Sequence, residues 1–343
     1  MFRPVLEKIL ERNDLSFEEA YNIMTYIMEG QATPAQIGGF LIGMKMKGER
    51  IEEIAGFAKA MRDKAITLEY TDELIDTCGT GGDGLGTLNI STLSAIVAAG
   101  AGVKVAKHGN RSVSSLCGSA DLLEALGVKI DMPPALAKRA LDECNFAFLF
   151  APLYHPAMRH ASTPRKELGV RTVFNILGPL VNPAKVKRQL IGVFSPSLTT
   201  IIANVLLHLG VERALVVSSM EGMDEISLSA PTKISEVKDG EVIEYILEPE
   251  KLGFKRYPLD ALKVRDKEES VRLAERILSD VEEGPVMDAV LLNSSAALLT
   301  AGVVKDLLEG KELARFSLRS GRAMKVLESL KRISKEAQDN EHS

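Results

Sequence analysis

Four stretches of the chain carry side chains suited to chemistry on a phosphorylated substrate. The first runs from Asp76 to Ser94, where Gly79, Gly81, Gly82, Gly84 and Gly86 crowd five glycines into eight positions ahead of a helical pattern that begins near Ser91. Glycine adopts positive φ and lets backbone N–H groups come close to an anion, and a helix start adds unpaired donors and a favourable dipole. A plain flexible turn between strand and helix needs only about two to six residues, roughly half of what is spent here. No Gly-Lys-Ser/Thr follows, so this is not a P-loop. Gly79 to Gly84 fits Gly-x-Gly-x-x-Gly, but no acidic residue stands at the next strand end, where a dinucleotide site needs one.

The second stretch, Lys107 to Ser115, packs cations, donors and hydroxyls into nine residues at a strand end, a set suited to phosphate or diphosphate. A solvated basic turn is the bland alternative. In the third, Gly222-Met223-Asp224-Glu225, adjacent carboxylates follow an apolar strand. Such a pair suits Mg²⁺, a hard ion that takes one or two carboxylates plus phosphate oxygens, although acidic pairs are also common on surfaces. The fourth spans His155-Pro156-Ala157-Met158-Arg159 to Arg165 and Arg171. An arginine here could hold a substrate carboxylate in a bidentate pair, but chemistry alone does not choose among the three.

The elements that must position these groups follow from periodicity and punctuation. Up to about residue 67 only helices are expected: Ser16 with Glu19 makes a capping box, Thr33-Pro34 with Gln36 starts a second helix, and a third covers about 51–66. From Leu74 strands and helices alternate. Strands are expected at 74–77, 103–106, 128–130, 146–150, 189–194 and 214–218, with helices between them. That pattern predicts a central, mostly parallel sheet, with the loops after Thr77, Ala106 and Ser218 on one carboxyl edge. Between Pro152 and Pro183 the alternation breaks, which reads as a return to the helical domain and a hinge. Asp239-Gly240 marks a hairpin, and about 268–336 is mainly helical. The expected fold class is α/β: a small all-helical N-terminal domain, 1–67 joined by helices from about 165–185, and a larger α/β domain of 68–164 and 186–343.

The 343 residues are 45% apolar and carry a net charge of −5, so a sizeable core is expected and a general affinity for nucleic acid is not. Cys78, Cys117 and Cys144 lack metal-ligand spacing and fit a reducing compartment. With no signal-like segment and no run of eighteen apolar residues, a soluble cytoplasmic protein with no membrane partner is expected.

Taken together, Asp-Thr-Cys-Gly-Thr-Gly-Gly-Asp-Gly (76–84), Asn-Ile-Ser-Thr (89–92), Lys-His-Gly-Asn-Arg-Ser-Val-Ser-Ser (107–115), Gly-Ser-Ala-Asp (118–121), His-Pro-Ala-Met-Arg (155–159), the run from Arg171 to Pro183 and Gly-Met-Asp-Glu (222–225) resemble the anthranilate phosphoribosyltransferase family in order and spacing. Leu116-Cys117 is the one departure, at positions where more polar residues are expected. The resemblance implies transfer of the phosphoribosyl group of 5-phosphoribosyl-1-diphosphate to the amine of anthranilate in tryptophan biosynthesis, by a homodimer joined through the helical domains. It assigns the donor to Gly79, Gly82, Asp83, Thr87, Asn89, Ile90, Ser91, Thr92, Lys107, His108, Gly109, Asn110, Arg111, Ser112, Val113, Ser114, Ser115 and Ser119. Anthranilate falls to Gly79, Asn110 and Arg165, with His108 and His155 along its path. Two Mg²⁺ ions per monomer fall to Ser91, Asp224 and Glu225, and no general base is assigned. A pyrimidine nucleoside phosphorylase-like enzyme shares the implied fold but would need no paired metal carboxylates. A non-enzymatic paralogue that binds nucleic acid should show a basic stripe, which this acidic chain lacks.

Overall fold

The structure is a computed structural model that describes residues 2–112 and 117–336. Four helices open the chain: α1 (Phe2–Leu10), α2 (Phe17–Met28), α3 (Pro34–Lys47) and α4 (Ile51–Asp63). The Ser16 hydroxyl accepts from Glu19 N at 3.2 Å while the Glu19 carboxylate accepts from Ser16 N at 2.8 Å, and Thr33 with Gln36 repeats the exchange at α3. These reciprocal bonds satisfy first-turn donors and fix where each helix begins. Ile23, Ile27, Phe40, Leu41 and Phe57 bury the facing stripes.

The sheet is built from β1 (Ile75–Gly79), followed by α5 (Ile90–Gly100); β2 (Val105–Gly109), followed by α6 (Ser119–Ala125) and α7 (Pro134–Cys144); and β3 (Phe146–Phe150). Three short pieces intervene: α8 (Ala151–Tyr154), α9 (Arg159–Leu168) and α10 (Phe174–Leu177). Then come β4 (Arg188–Gly192), α11 (Leu198–His208), β5 (Arg213–Ser219), β6 (Thr232–Lys238) and β7 (Glu241–Leu247). The chain ends in α12 (Lys267–Leu278), α13 (Pro285–Ala301), α14 (Leu307–Arg319) and α15 (Arg322–Glu336). The spatial order is β3-β2-β1-β4-β5-β6-β7. The first five are parallel and the last two antiparallel, turning at Asp239 and Gly240, whose φ values of 52° and 81° suit a tight hairpin.

Alternate strand residues feed two cores. Leu190, Leu215 and Val217 pack with α5 and α13, whereas Ile191, Ala214 and Val216 pack with Ile202, Ala203 and Leu206 of α11. That second core is continuous with the helical domain. Ala161, Phe174 and Leu177 from α9 and α10 join it. Strand order reverses between β1 and β4, and ligands of such sheets sit outside the carboxyl ends at this point.

Two strand expectations are corrected. Residues 128–130 form no strand; Val128 and Ile130 are buried by side-chain packing in an extended connection between α6 and α7. The second strand lies at 105–109 rather than 103–106, because Lys107, His108 and Gly109 pair in register with Phe148, Leu149 and Phe150. Polar residues there look like loop but belong to the sheet. Among the described residues no helix is long and apolar enough to cross a membrane.

Candidate active site at the carboxyl edge

β1 and β4 end side by side at Gly79 and Gly192, the reversal point of the sheet. Asp224 lies directly over both. A Cβ built at Gly192 would overlap the Asp224 carbonyl oxygen, and one at Gly79 would overlap its carboxylate. Both glycines are therefore steric requirements of close approach. Beyond Gly79, the residues Gly81, Gly82, Gly84 and Gly86 all have positive φ, between 63° and 76°. Their backbone turns Gly81 N–H towards the Asp224 Oδ2 at 2.7 Å. Asp83 braces the loop from within by accepting from Leu85 N at 3.1 Å, and Thr87 bridges to Lys263.

The start of α5 completes this wall. Ser91 N–H donates to the Glu225 Oε1 at 3.0 Å, and the Ser91 carbonyl accepts from Thr77 Oγ1. The donors that the sequence offers to an anion are thus facing Asp224 and Glu225. Both carboxyls are pushed well above the usual carboxylate range. Burial is the first cause for each, reinforced by Asp83 for Asp224 and by Asp224 for Glu225. A half-buried and a buried carboxylate side by side, both hard oxygen ligands, fit a divalent cation, which relieves their mutual repulsion. Ser91, Asp224 and Glu225 are the right donor types for Mg²⁺. Among the described residues no third His, Cys, Asp or Glu closes a full cage, so such an ion needs further oxygens from a ligand.

Lys107 enters from beneath. It is 1% exposed, and its ammonium donates to the Thr77 carbonyl oxygen and, at 3.4 Å, to Ser91 Oγ. Strand pairing, not a mobile loop, aims it. Asp76 fixes this register: its buried carboxylate accepts from His108 N at 3.1 Å and Asn182 Nδ2 at 2.7 Å. Burial lifts the Asp76 pKa to about 6 against the opposing pull of Lys107. Asn182 also donates to the Ala106 carbonyl at 2.8 Å, tying the 180s segment to β1 and β2. Sequence reasoning gives neither Asp76 nor Asn182 a role, since a buried amide–carboxylate pair 106 residues apart leaves no local pattern.

His108 and His155 meet in a tilted ring contact, with centroids 5.1 Å apart and ring planes 56° from parallel. Burial holds their pKa values down, to about 3 and about 4, so both rings are neutral. His108 Nδ1 lies 3.2 Å from the Gly178 carbonyl, which assigns it the proton, and Nε2 is left buried without a partner, as is His155 Nε2. Thr80 Oγ1, Asn89 Oδ1 and Thr92 Oγ1 are likewise buried and unpartnered. Native interiors rarely leave such atoms unsatisfied, and their clustering along one edge marks where a polar ligand belongs.

The remaining candidates fall elsewhere. Gly109 packs against Ser119 and Phe148, and Ser119 Oγ donates to the Asn110 carbonyl at 3.2 Å. Arg111 is drawn onto α6, forked on Glu124 and reaching Asp121, so its charge is already paired. Ser112 N donates to Asp121 at 3.0 Å. Val113, Ser114 and Ser115 lie outside the described residues. Ile90 is a buried core residue at the start of α5. Arg165 sits in α9 with its guanidinium 4.8 Å from the centre of the Phe174 ring. Among the described residues no carboxylate pairs with it, and no hydrogen bond joins it to Gly79 or Asn110. Arg171, which the sequence offers without distinguishing it from its neighbours, does reach the loop: it donates to the Gly82 carbonyl and stacks on Phe194 at 4.5 Å.

A helical bundle beside an α/β domain whose sheet edge carries a glycine loop, an acidic pair and a buried lysine defines a class. Residues 3–65 match the family described as "Glycosyl transferase family, helical bundle domain" and residues 71–324 the family described as "Glycosyl transferase family, a/b domain". An anthranilate phosphoribosyltransferase of Thermoanaerobacter sp. (strain X514) is 52% identical over 328 residues, 95% of this chain and 97% of that protein. The solved enzyme of that name from Thermus thermophilus is 47% identical, with a TM-score of 0.91 over 96% of this chain and 99% of that one. The Saccharomyces cerevisiae enzyme, solved in complex with PRPP and Mg, is 27% identical with a TM-score of 0.91 over 98% of both chains. The chain belongs to the anthranilate phosphoribosyltransferase family.

Proposed function

We propose that the chain transfers the phosphoribosyl group of 5-phosphoribosyl-1-diphosphate to the amine of anthranilate, giving N-(5-phosphoribosyl)anthranilate and diphosphate in tryptophan biosynthesis. The observation that carries this reading is the Asp224–Glu225 pair set against the glycine-loop and α5 amides, in a chain about half identical to an enzyme of that name along nearly its whole length.

The bond from the anomeric carbon to the diphosphate oxygen breaks through an oxocarbenium-like state, so negative charge grows on the leaving group while the amine nitrogen closes on the carbon. Mg²⁺ supplies neutralisation of that charge. Ser91, Asp224 and Glu225 would hold two such ions per monomer, with Glu225 shared. Gly79 and Gly82 allow the diphosphate onto the backbone, and Lys107 adds fixed positive charge from below. Preorganised groups of this kind typically contribute a few kcal/mol each. Gly79, Asn110 and Arg165 hold anthranilate, Arg165 through its carboxylate, while His108 and His155 form a neutral wall along its path. An aromatic amine is uncharged at neutral pH and nucleophilic as it stands, so placement matters more than a general base. The 165–185 segment acts as the hinge between a helical domain of 1–67 with its returning helices and an α/β domain of 68–164 and 186–343. Closure excludes the water that would hydrolyse the donor. The working unit is a cytoplasmic homodimer joined through the helical domains, with no nucleic-acid partner.

The test is loss of anthranilate fluorescence when purified protein, donor and Mg²⁺ are mixed. A decay that needs all three components is expected. No decay, with phosphorolysis of a pyrimidine nucleoside instead, overturns the reading.

A further inference from the structure

At the opposite, amino edge of the sheet, the helical domain and the α/β domain border a half-open cleft of about 370 Å³. Helix α4 contributes Lys59, Arg62 and Asp63, the segment entering β4 contributes Lys185 and Lys187, and the end of α11 contributes His208. Phe17, Val186 and Leu209 form an apolar wall, with the Phe17 ring 5.3 Å from that of His208. Its volume lies in the range of small-molecule pockets, about 300–1,000 Å³.

Arg62 is the informative residue. It is 7% exposed; its Nε donates to the Leu180 carbonyl at 2.6 Å, whereas its Nη2 is buried with no partner. Burial pulls its pKa down to about 10, which leaves it charged at neutral pH. That N–H is sealed off from the cavity, so what Arg62 offers an occupant is its charge, which attracts an oxyanion. The one carboxylate in the lining, Asp63, is already engaged by Lys59 and by the Tyr21 hydroxyl. Lys187 donates to the Gly210 carbonyl at 2.8 Å, and Lys185 stands exposed at the rim with φ 49°, a left-handed backbone seldom adopted by lysine. Among the described residues no carboxylate pairs with Arg62, Lys185 or Lys187.

We propose that this cavity binds a small organic anion, its carboxylate or phosphate held by Arg62 and Lys185 and its apolar body resting on Phe17 and Leu209. The occupant touches α4 and the segment entering β4 at once, so it bridges the two domains at a place distinct from the phosphate edge. The inference does not depend on which acceptor the enzyme uses.

The experiment titrates phenyl phosphate and benzoate, separately, into the full chain saturated with 5-phosphoribosyl-1-diphosphate and Mg²⁺, read by calorimetry. Substituting the exposed lysines, Lys185→Gln with Lys187→Gln, avoids disturbing buried Arg62. At least one of the two anions is expected to bind at one per chain, with affinity at least tenfold lower in the double variant. Arg165→Ala is expected to leave the anion affinity unchanged. Failure of both anions to bind, equal affinity in the double variant, or loss of binding with Arg165→Ala overturns the proposal. Turnover is read apart from anion binding, so failure here is distinguishable from failure of the proposed function.

Discussion

The crevice has two walls of different construction. One stands on strand ends: Gly79, Lys107 and Gly192 are sheet residues held in parallel register, and Asp224 and Glu225 lie in the loop after β5. The other, carrying Arg165 and Arg171, hangs on α9 and α10, which join the helical domain's core, while His155 follows α8, whose Tyr154 packs in the α/β core. A wall on strand ends is rigid and suits groups that must be aimed at developing charge. A wall on a linker suits groups that arrive when the domains close. The side-chain contacts run the same way: the strand wall is dense in buried hydrogen bonds around Lys107 and Asp76, whereas Arg165 is held chiefly by the Phe174 ring.

If that division is right, damage to the strand wall should be severe and general. Gly192→Ala forces a methyl into the Asp224 carbonyl, so it should destabilise by ~3 kcal/mol or more, the upper range for overpacking, with loss of turnover. Denaturant unfolding beside an activity assay checks it, and a stable, active variant would remove Asp224's seat on β4. Asp224→Asn with Glu225→Gln should fold, since desolvating neutral amides costs less than burying charges, yet lose roughly 10²–10³ in turnover and shift the Mg²⁺ titration. An unchanged metal titration would refute the metal assignment. Asn182→Ala is next in size. It strips a donor from buried Asp76 and should cost about 1–3 kcal/mol in stability, weakening the tie between the walls.

The strand wall was also the legible one. Its glycines, lysine and acidic pair lie in short local strings, and strand alternation alone places them on one edge. The errors there were of boundary: polar Lys107 and His108 read as loop because burial by neighbouring strands is invisible in one segment. The linker wall was legible only through family resemblance. Nothing in 155–171 separates Arg165 from Arg159 or Arg171, because what distinguishes them is which aromatic ring each lies against and whether the Gly82 carbonyl is in reach. Asp76–Asn182 and Gly192 escaped for the same reason, since their meaning is a tertiary contact.

The histidine pair gives an effect that depends on pH. Both folded pKa values, about 3 and about 4, lie below the ordinary 6.5, so below pH 6.5 the unfolded chain takes up protons that the folded rings refuse. Their contribution to stability is therefore present above that pH and falls as pH drops towards 4. Asp76, raised to about 6, acts in the opposite sense over part of that window, and Lys107 also faces His108. The stability advantage of the wild type over His108→Gln/His155→Gln should accordingly shrink between pH 7 and pH 4. A constant difference would mean that the rings are not buried neutral.

The division of labour itself is tested most directly by two-substrate kinetics of Arg165→Ala. Loss of a bidentate charged contact is expected to raise the anthranilate KM by about tenfold or more while the donor KM stays near the wild-type value. An equal rise in both constants would contradict the assignment of the linker wall to the acceptor.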